Sequence, residues 1–224
     1  MKHFKNFIFS PIGSKIIMAL GGAGIIFFLI GHALGNLLIF NGPQSLNTYA
    51  HWLQNNPFLW IFRIGMLTIF FLHVVIAIRL TRENRQARPI PYAVNTSLQL
   101  GFSEKTMIFS GSIIFIFIIF HLAHLTLGWL PTTSLTTLDE NAMLNVYQNV
   151  VKGFQVPWIS GIYIFVMLII GLHLHHSLKS LFQTLGFHHQ NFHLISNALS
   201  PVLIIALILA FIAIPIAVLT GVIS

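Results

Sequence analysis

The sequence predicts an all-α integral membrane protein, a single membrane domain over residues 1–224 with five transmembrane helices. Three observations carry that prediction. First, 56% of the 224 residues are apolar and only 7% charged, where an ordinary soluble domain carries about a quarter charged residues. Four acidic and eleven basic side chains cannot coat a water-soluble surface. Second, there are five apolar runs of about 20 residues or more, and at about 1.5 Å per residue each can cross roughly 30 Å of hydrocarbon. Third, backbone groups in lipid must find partners within the protein, so runs of this length read as helices and not as interior strands.

The first span is expected over 16–40. It is too long for a secretory signal peptide and no small-x-small site closes it, so no such peptide is expected. Asn41, Gly42 and Pro43 break it. The second, 58–80, follows Asn55, Asn56 and Pro57, and the third, 106–130, follows Pro89 and Pro91. The fourth, 158–181, has Pro157 where the first helical turn tolerates it. The fifth is expected over 195–223. No repeat, low-complexity tract or second domain interrupts this pattern.

Cationic residues in short loops set the orientation. Lys2, Lys5 and Lys15 precede the first span, Arg79, Arg82, Arg85, Arg88 and Lys105 fall between the second and third, and Lys179 ends the fourth. All lie on one side. The other side holds Lys152 beside Asp139 and Glu140, with Arg63 just inside the second span. The expected placement is a multi-pass protein of the cytoplasmic membrane, N-terminus cytoplasmic and C-terminus external. The formal charge of +7 is then a topological signal, with no support for nucleic-acid binding. Attraction to anionic lipid or to an acidic cytoplasmic partner is compatible with it.

Cysteine is absent, which excludes disulfides, thiolate-ligated haem and thiolate-held iron–sulfur clusters. Any electron-carrying cofactor must be held by His or Met. The twelve histidines are the unusual feature, because ionisable groups within the membrane are costly and mark function by default. His32, His73, His121, His124 and His173 lie inside the spans, with His175 and His176 near the inner end of the fourth. His32 and His121 are 16 and 15 residues from the inner starts of their spans, hence both roughly 22 to 24 Å from the cytoplasmic boundary. His73 and His173 are each 15 residues from the outer starts of theirs. The two pairs therefore sit at two depths, about 12 to 14 Å apart. One His from each of four helices, paired in this way, is what two stacked bis-histidine haems need, so the first four spans are expected to form a haem-binding bundle.

His124 competes with His121, and His175 and His176 compete with His173, where depth favours His173. His176, one turn from the fourth ligand, is a candidate partner of a haem propionate. Arg79 and Lys179 are candidates for the inner propionates and Arg63 for the outer ones, with snorkelling at the interface as their alternative. Gly24, Gly31, Gly35, Gly65 and Gly171 offer either room for a macrocycle or close helix packing.

The stretches GHALGNL around His32, FFLHVVIAIRLTRENRQARP around His73, FHLAHL around His121 and GLHLHHSLKSLFQTLG around His173 resemble the di-haem cytochrome b558 membrane subunit of succinate dehydrogenase and fumarate reductase. The resemblance runs from the first span to the fifth. It implies a succinate dehydrogenase/fumarate reductase subunit of the respiratory chain and tricarboxylic acid cycle, with two b haems relaying electrons to a quinone, expected to be menaquinone. It also implies a flavoprotein and an iron–sulfur subunit on the cytoplasmic side, and it places the iron ligands at His32, His73, His121 and His173. The segment SLNTYAHWLQNNPF resembles the family's segment after the first helix, which makes Asn47, Tyr49, His51 and Trp52 quinone-site candidates. His51 is suited to proton donation or relay, and its alternative is an ordinary interfacial histidine. The chain departs from some members in one respect: the carboxylate two residues before the fourth ligand is Gly171 here. That departure leaves open both proton compensation of the electron step and the direction of turnover.

Three other readings compete. One is the cytochrome b of a different quinone-linked dehydrogenase, such as a hydrogenase. Another is a His-lined proton or metal-ion transporter, although no carboxylates or broken helices mark a path. The third is a haem-free anchor in which the histidines only pack. The stretch FHHQNFH, with His188, His189 and His193, reads as an interfacial loop or a surface metal site.

Overall fold

In a computed structural model, the chain is described at residues 7, 10–87, 106–186 and 190–224, with side chains of the last segment described from 198 onward. Lys2, Lys5, Arg88, Lys105, His188, His189 and the side chain of His193 lie outside the described residues. Among the described residues the architecture is all-helical apart from one isolated bridge between Leu138 and Leu144. Among the same residues five helices are long and apolar enough to cross a membrane, over Pro11–Asn41, Leu59–Gln86, Met107–Thr126, Pro157–Thr184 and Ala198–Leu219. This is a multi-pass membrane protein.

Helix α1 (Pro11–Leu37) starts where Ser10 accepts a hydrogen bond from Gly13 N and Pro11 occupies the first turn. It runs out through a 3-10 turn, Leu38–Asn41, to Gly42 at φ 93°, and this bend starts a helix absent from the sequence-based expectation, α2 (Pro43–Gln54). Helix α3 (Leu59–Gln86) follows after Asn56 Oδ1 accepts from Phe58 N. Helix α4 (Met107–His121) is shorter than expected. It passes into a π turn, Leu122–Thr126, and ends at Gly128 with φ 61°, so the expected span to residue 130 stops four residues early. A second unforeseen helix, α5 (Val146–Phe154), is capped by Asn145, which accepts from Gln148 N. Helix α6 (Pro157–Thr184) begins with Pro157 in its first turn, as expected. Helix α7 (Gln190–Leu219) completes the bundle, with Pro201 and Pro215 inside it.

Two buried clusters hold the bundle. One, toward the end that carries α2 and α5, joins Ile39, Leu46, Phe117, Phe154, Ile159 and Tyr163 to Val218 and Ile223. The other joins Ile26 and Ala33 of α1 to Leu174 and Leu178 of α6 and Ile204 and Leu207 of α7. Glycine sets the closest approaches. A Cβ at Gly171 would collide with Ile208 of α7, so this glycine serves helix packing. Gly31 and Gly65 face open space, and Gly24 makes ordinary contact distance with Ile69. Helix α3 differs from the others. No residue of its most apolar stretch is buried, and it packs chiefly on α1 with a short seam against α4. Phe27, Phe71, Phe109 and Leu209 point outward, as expected of surfaces that meet lipid.

Candidate functional site

The fold brings His32 of α1 and His121 of α4 together. Their ring centroids lie 5.9 Å apart with the planes nearly perpendicular, at 87°. Two imidazoles that each place a nitrogen about 2 Å from one metal ion have centroids about 6 Å apart, so this spacing matches a shared ion. His32 stacks on Phe28 at 5.3 Å and meets Phe211 of α7 at 5.8 Å. The Asn36 amide donates to the His32 carbonyl at 2.7 Å and lies 3.3 Å from Nδ1 and 3.4 Å from Nε2.

His73 of α3 and His173 of α6 lie in one neighbourhood, with His173 within electrostatic reach of His73 and His176. His73 packs against Gly22 of α1, where a Cβ would stand 3.8 Å from its Cε1, and His173 against Gly111 of α4, at 3.4 Å. Gly22 and Gly111 are each ten residues before His32 and His121 on the same helices. Ten helical residues span about 15 Å, so the two pairs occupy two levels. His73 lies near the Met18 backbone, and its Nδ1 is buried without a partner among the described residues.

Hydroxyl groups orient two of the four rings. Ser110 Oγ donates to the Met107 carbonyl at 3.0 Å and lies 3.0 Å from His173 Nδ1. The hydroxyl thus stands between a backbone carbonyl and the ring, and when its one proton goes to Met107 it accepts from Nδ1–H of His173, which leaves Nε2 free to ligate. Tyr163 OH lies 3.3 Å from His121 Nδ1 and 3.0 Å from His124 Nδ1. His124 is fully buried, and Thr132 Oγ1 is 3.3 Å from its Nε2. Both nitrogens of His124 thus have a polar neighbour. His175 is exposed and His176 half-buried.

No family model, curated protein or solved structure matches this chain. Its chemistry therefore rests on these side chains. Among the described residues no group of three or more His, Asp or Glu converges, and two-ligand axial coordination needs none. The donor set of neutral, paired imidazoles suits a planar macrocycle carrying iron, with each ring supplying one nitrogen.

The remaining candidates are more scattered. Arg79 pairs with Glu83 at 2.7 Å along its own helix, and Lys179 is exposed. Arg63 places its guanidinium 5.2 Å over the Trp60 ring on the exposed side of α3. Asn47 is 1% exposed and committed to structure: it donates to Asp139 Oδ2 at 2.9 Å and accepts from Tyr147 N at 2.9 Å. Tyr49 presses its ring on Gly35, where a Cβ would stand 2.6 Å away, and stacks on the exposed Trp52 at 6.4 Å. His51 is exposed on the same helix, near Asp139. Tyr163, Ser110, Gly22 and Gly111 are the residues that sequence reasoning missed. A lone tyrosine deep in an apolar span was the available signal, because a buried phenol needs a partner.

Proposed function

We propose that this chain is the haem-b-carrying membrane anchor of a succinate:quinone oxidoreductase, moving electrons between a cytoplasmic iron–sulfur subunit and membrane quinone. The observation that supports it is the meeting of His32 and His121, imidazoles of two different spans, with centroids 5.9 Å apart, while His73 and His173 neighbour one another at a second level. His32 and His121 would hold one haem, His73 and His173 the other. When bound, haem supplies reversible one-electron iron chemistry at each pair.

The chain's own residues supply orientation and surroundings. Ser110 restrains the ring of His173 through Nδ1, and Tyr163 restrains His121. Neutral imidazoles bring no charge into the hydrocarbon, which avoids the main cost of intramembrane ligands. The wall formed by Tyr49 and Trp52, with His51 beside it, is the proposed quinone-facing surface, with His51 as proton donor. Asn47 serves there by holding α2 in place. Succinate oxidation belongs to the flavoprotein partner, and the basic loops of the cytoplasmic face receive the iron–sulfur subunit.

The test is a reduced-minus-oxidised spectrum of the purified chain expressed with ample haem. A sharp b-type alpha band and about two haems per chain are expected. His73→Ala is expected to remove one haem and spare the other. A colourless wild-type chain, or an H73A chain that keeps both haems, overturns the proposal.

A further inference from the structure

The hydrogen bonds around Tyr163 have a direction. A phenol carries one proton and accepts through its oxygen lone pairs, and this oxygen stands between His121 Nδ1 at 3.3 Å and His124 Nδ1 at 3.0 Å. It donates to one imidazole and accepts from the other. His124 is 0% exposed, so its nitrogens must be satisfied inside the protein. Its Nε2 has Thr132 Oγ1 at 3.3 Å, and its carbonyl accepts from Thr133 Oγ1 at 2.8 Å. Gly153 closes on the same ring, since a Cβ there would lie 2.7 Å from Nε2. His124 cannot swing aside.

Resting on the reading of His121 as an iron ligand, the order of donors follows. A His121 that coordinates through Nε2 carries its proton on Nδ1 and donates it to Tyr163. The phenol proton then points to His124 Nδ1. His124 in turn holds its proton on Nε2 and donates to Thr132. We propose that Tyr163 is a positioning residue of the His32–His121 centre, and that His124 and Thr132 extend it into a one-way hydrogen-bond chain that makes His121 a stronger electron donor. Each acceptor placed on an Nδ1–H adds basicity to a ligating imidazole, and successive hydrogen bonds polarise one another. The second centre is built differently: beyond His173 Nδ1 the other neighbour of Ser110 Oγ is a backbone carbonyl of its own helix, and among the described residues no further side chain extends the chain. The two centres therefore receive unequal support from otherwise identical ligands.

Tyr163→Phe removes the phenol oxygen with little change of volume. In the purified chain carrying both haems, a redox titration followed in the alpha band is expected to move one centre toward the reduced state. The expected size is about tenfold in its reduction equilibrium, or about 59 mV for one electron. Thr132→Val, which cuts the chain at its far end, is expected to move the same centre in the same direction by less. Ser110→Ala is expected to move only the other centre. H73A, which retains only the His32–His121 pair, identifies which centre has moved. Unmoved centres in both Y163F and T132V, with two haems bound, overturn the chain and leave the proposed function standing. If Y163F sheds a haem, T132V decides alone, and an unmoved potential there overturns the proposal. A wild-type chain that takes up no haem overturns both.

Discussion

Ser110 illustrates how much one atom decides. Its hydroxyl stands 3.0 Å from the Met107 carbonyl and 3.0 Å from Nδ1 of His173, so one oxygen ties α4 to a ring on another helix and restrains that ring's orientation. Nothing in the local sequence of α4 reveals this, because the partner is 63 residues away. Gly35 is a second single-residue case. Its missing side chain is filled by the Tyr49 ring, with Cε1 2.6 Å from where a Cβ would stand. Gly35→Ala is expected to displace Tyr49 and destabilise the protein by about 1–3 kcal/mol, the usual cost of overpacking. Gly31→Ala, which meets nothing within 4 Å, is the matched control. Thermal unfolding in detergent checks both, and equal midpoints for the two variants would refute the close contact. Gly35 was read in the sequence as either haem cradle or packing contact, and the structure supplies the tyrosine that occupies its face.

At the scale of elements, the two short helices and the turn between them form the part the sequence did not make legible. Helix α2 is tied to the segment before α5 through buried Asn47, which reaches Asp139, Asn145 and Tyr147. Removing a buried amide leaves the Tyr147 N–H without its acceptor, so Asn47→Ala is expected to cost about 1–3 kcal/mol. Calorimetry of the variant measures it, and an unchanged midpoint would show the latch to be dispensable.

Asp139 adds a pH dependence. Desolvation works to raise its carboxyl, but hydrogen bonds from Met143 N, the Asn47 amide and Asn141 N outweigh it and hold the group below its ordinary value. His51 nearby acts in the same direction. A depressed folded value means that the stabilisation is complete above the unfolded carboxylate range and fades as pH falls through the lower, folded one. The difference in melting temperature between wild type and Asp139→Ala is therefore expected to be present near neutral pH and to shrink on acidification. A difference independent of pH would refute it. These polar contacts join residues about a hundred positions apart, beyond the reach of a reading based on periodicity. The π turn after His121 is equally hidden, since its apolar residues continue the helical pattern while the Leu127 N–H reaches back to Leu122 O.

At the scale of the molecule, the legible part was the membrane-spanning pattern. Five spans follow from composition and length, and all five starts lie within five residues of the expectation, as boundaries set by prolines and asparagines should. The closeness of His32 and His121 was also readable, because helical rise converts residue number directly into depth. Which neighbours dress each ring was not, because rotation about a helix axis depends on packing partners that depth alone does not supply. Hence Tyr163 and Ser110 went unnoticed, as did the polar neighbours at both nitrogens of His124.

The one-sided attachment of α3 bears on how the protein should be handled. This helix carries His73, buries none of its most apolar stretch, and leans on α1 for most of its support, so surrounding lipid must supply the lateral confinement that protein neighbours give elsewhere. Stepwise delipidation is expected to separate His73 from His173 first, while His32 and His121, braced by Phe211 and Tyr163, stay paired. Cross-linking yields between cysteines introduced on α1 and α3, compared with yields between cysteines on α1 and α7, would report that order. Simultaneous loss of both pairs would argue against it. Preparations washed with harsh surfactant would then differ from gently extracted ones in a single centre, a preparative artefact with a definite structural address.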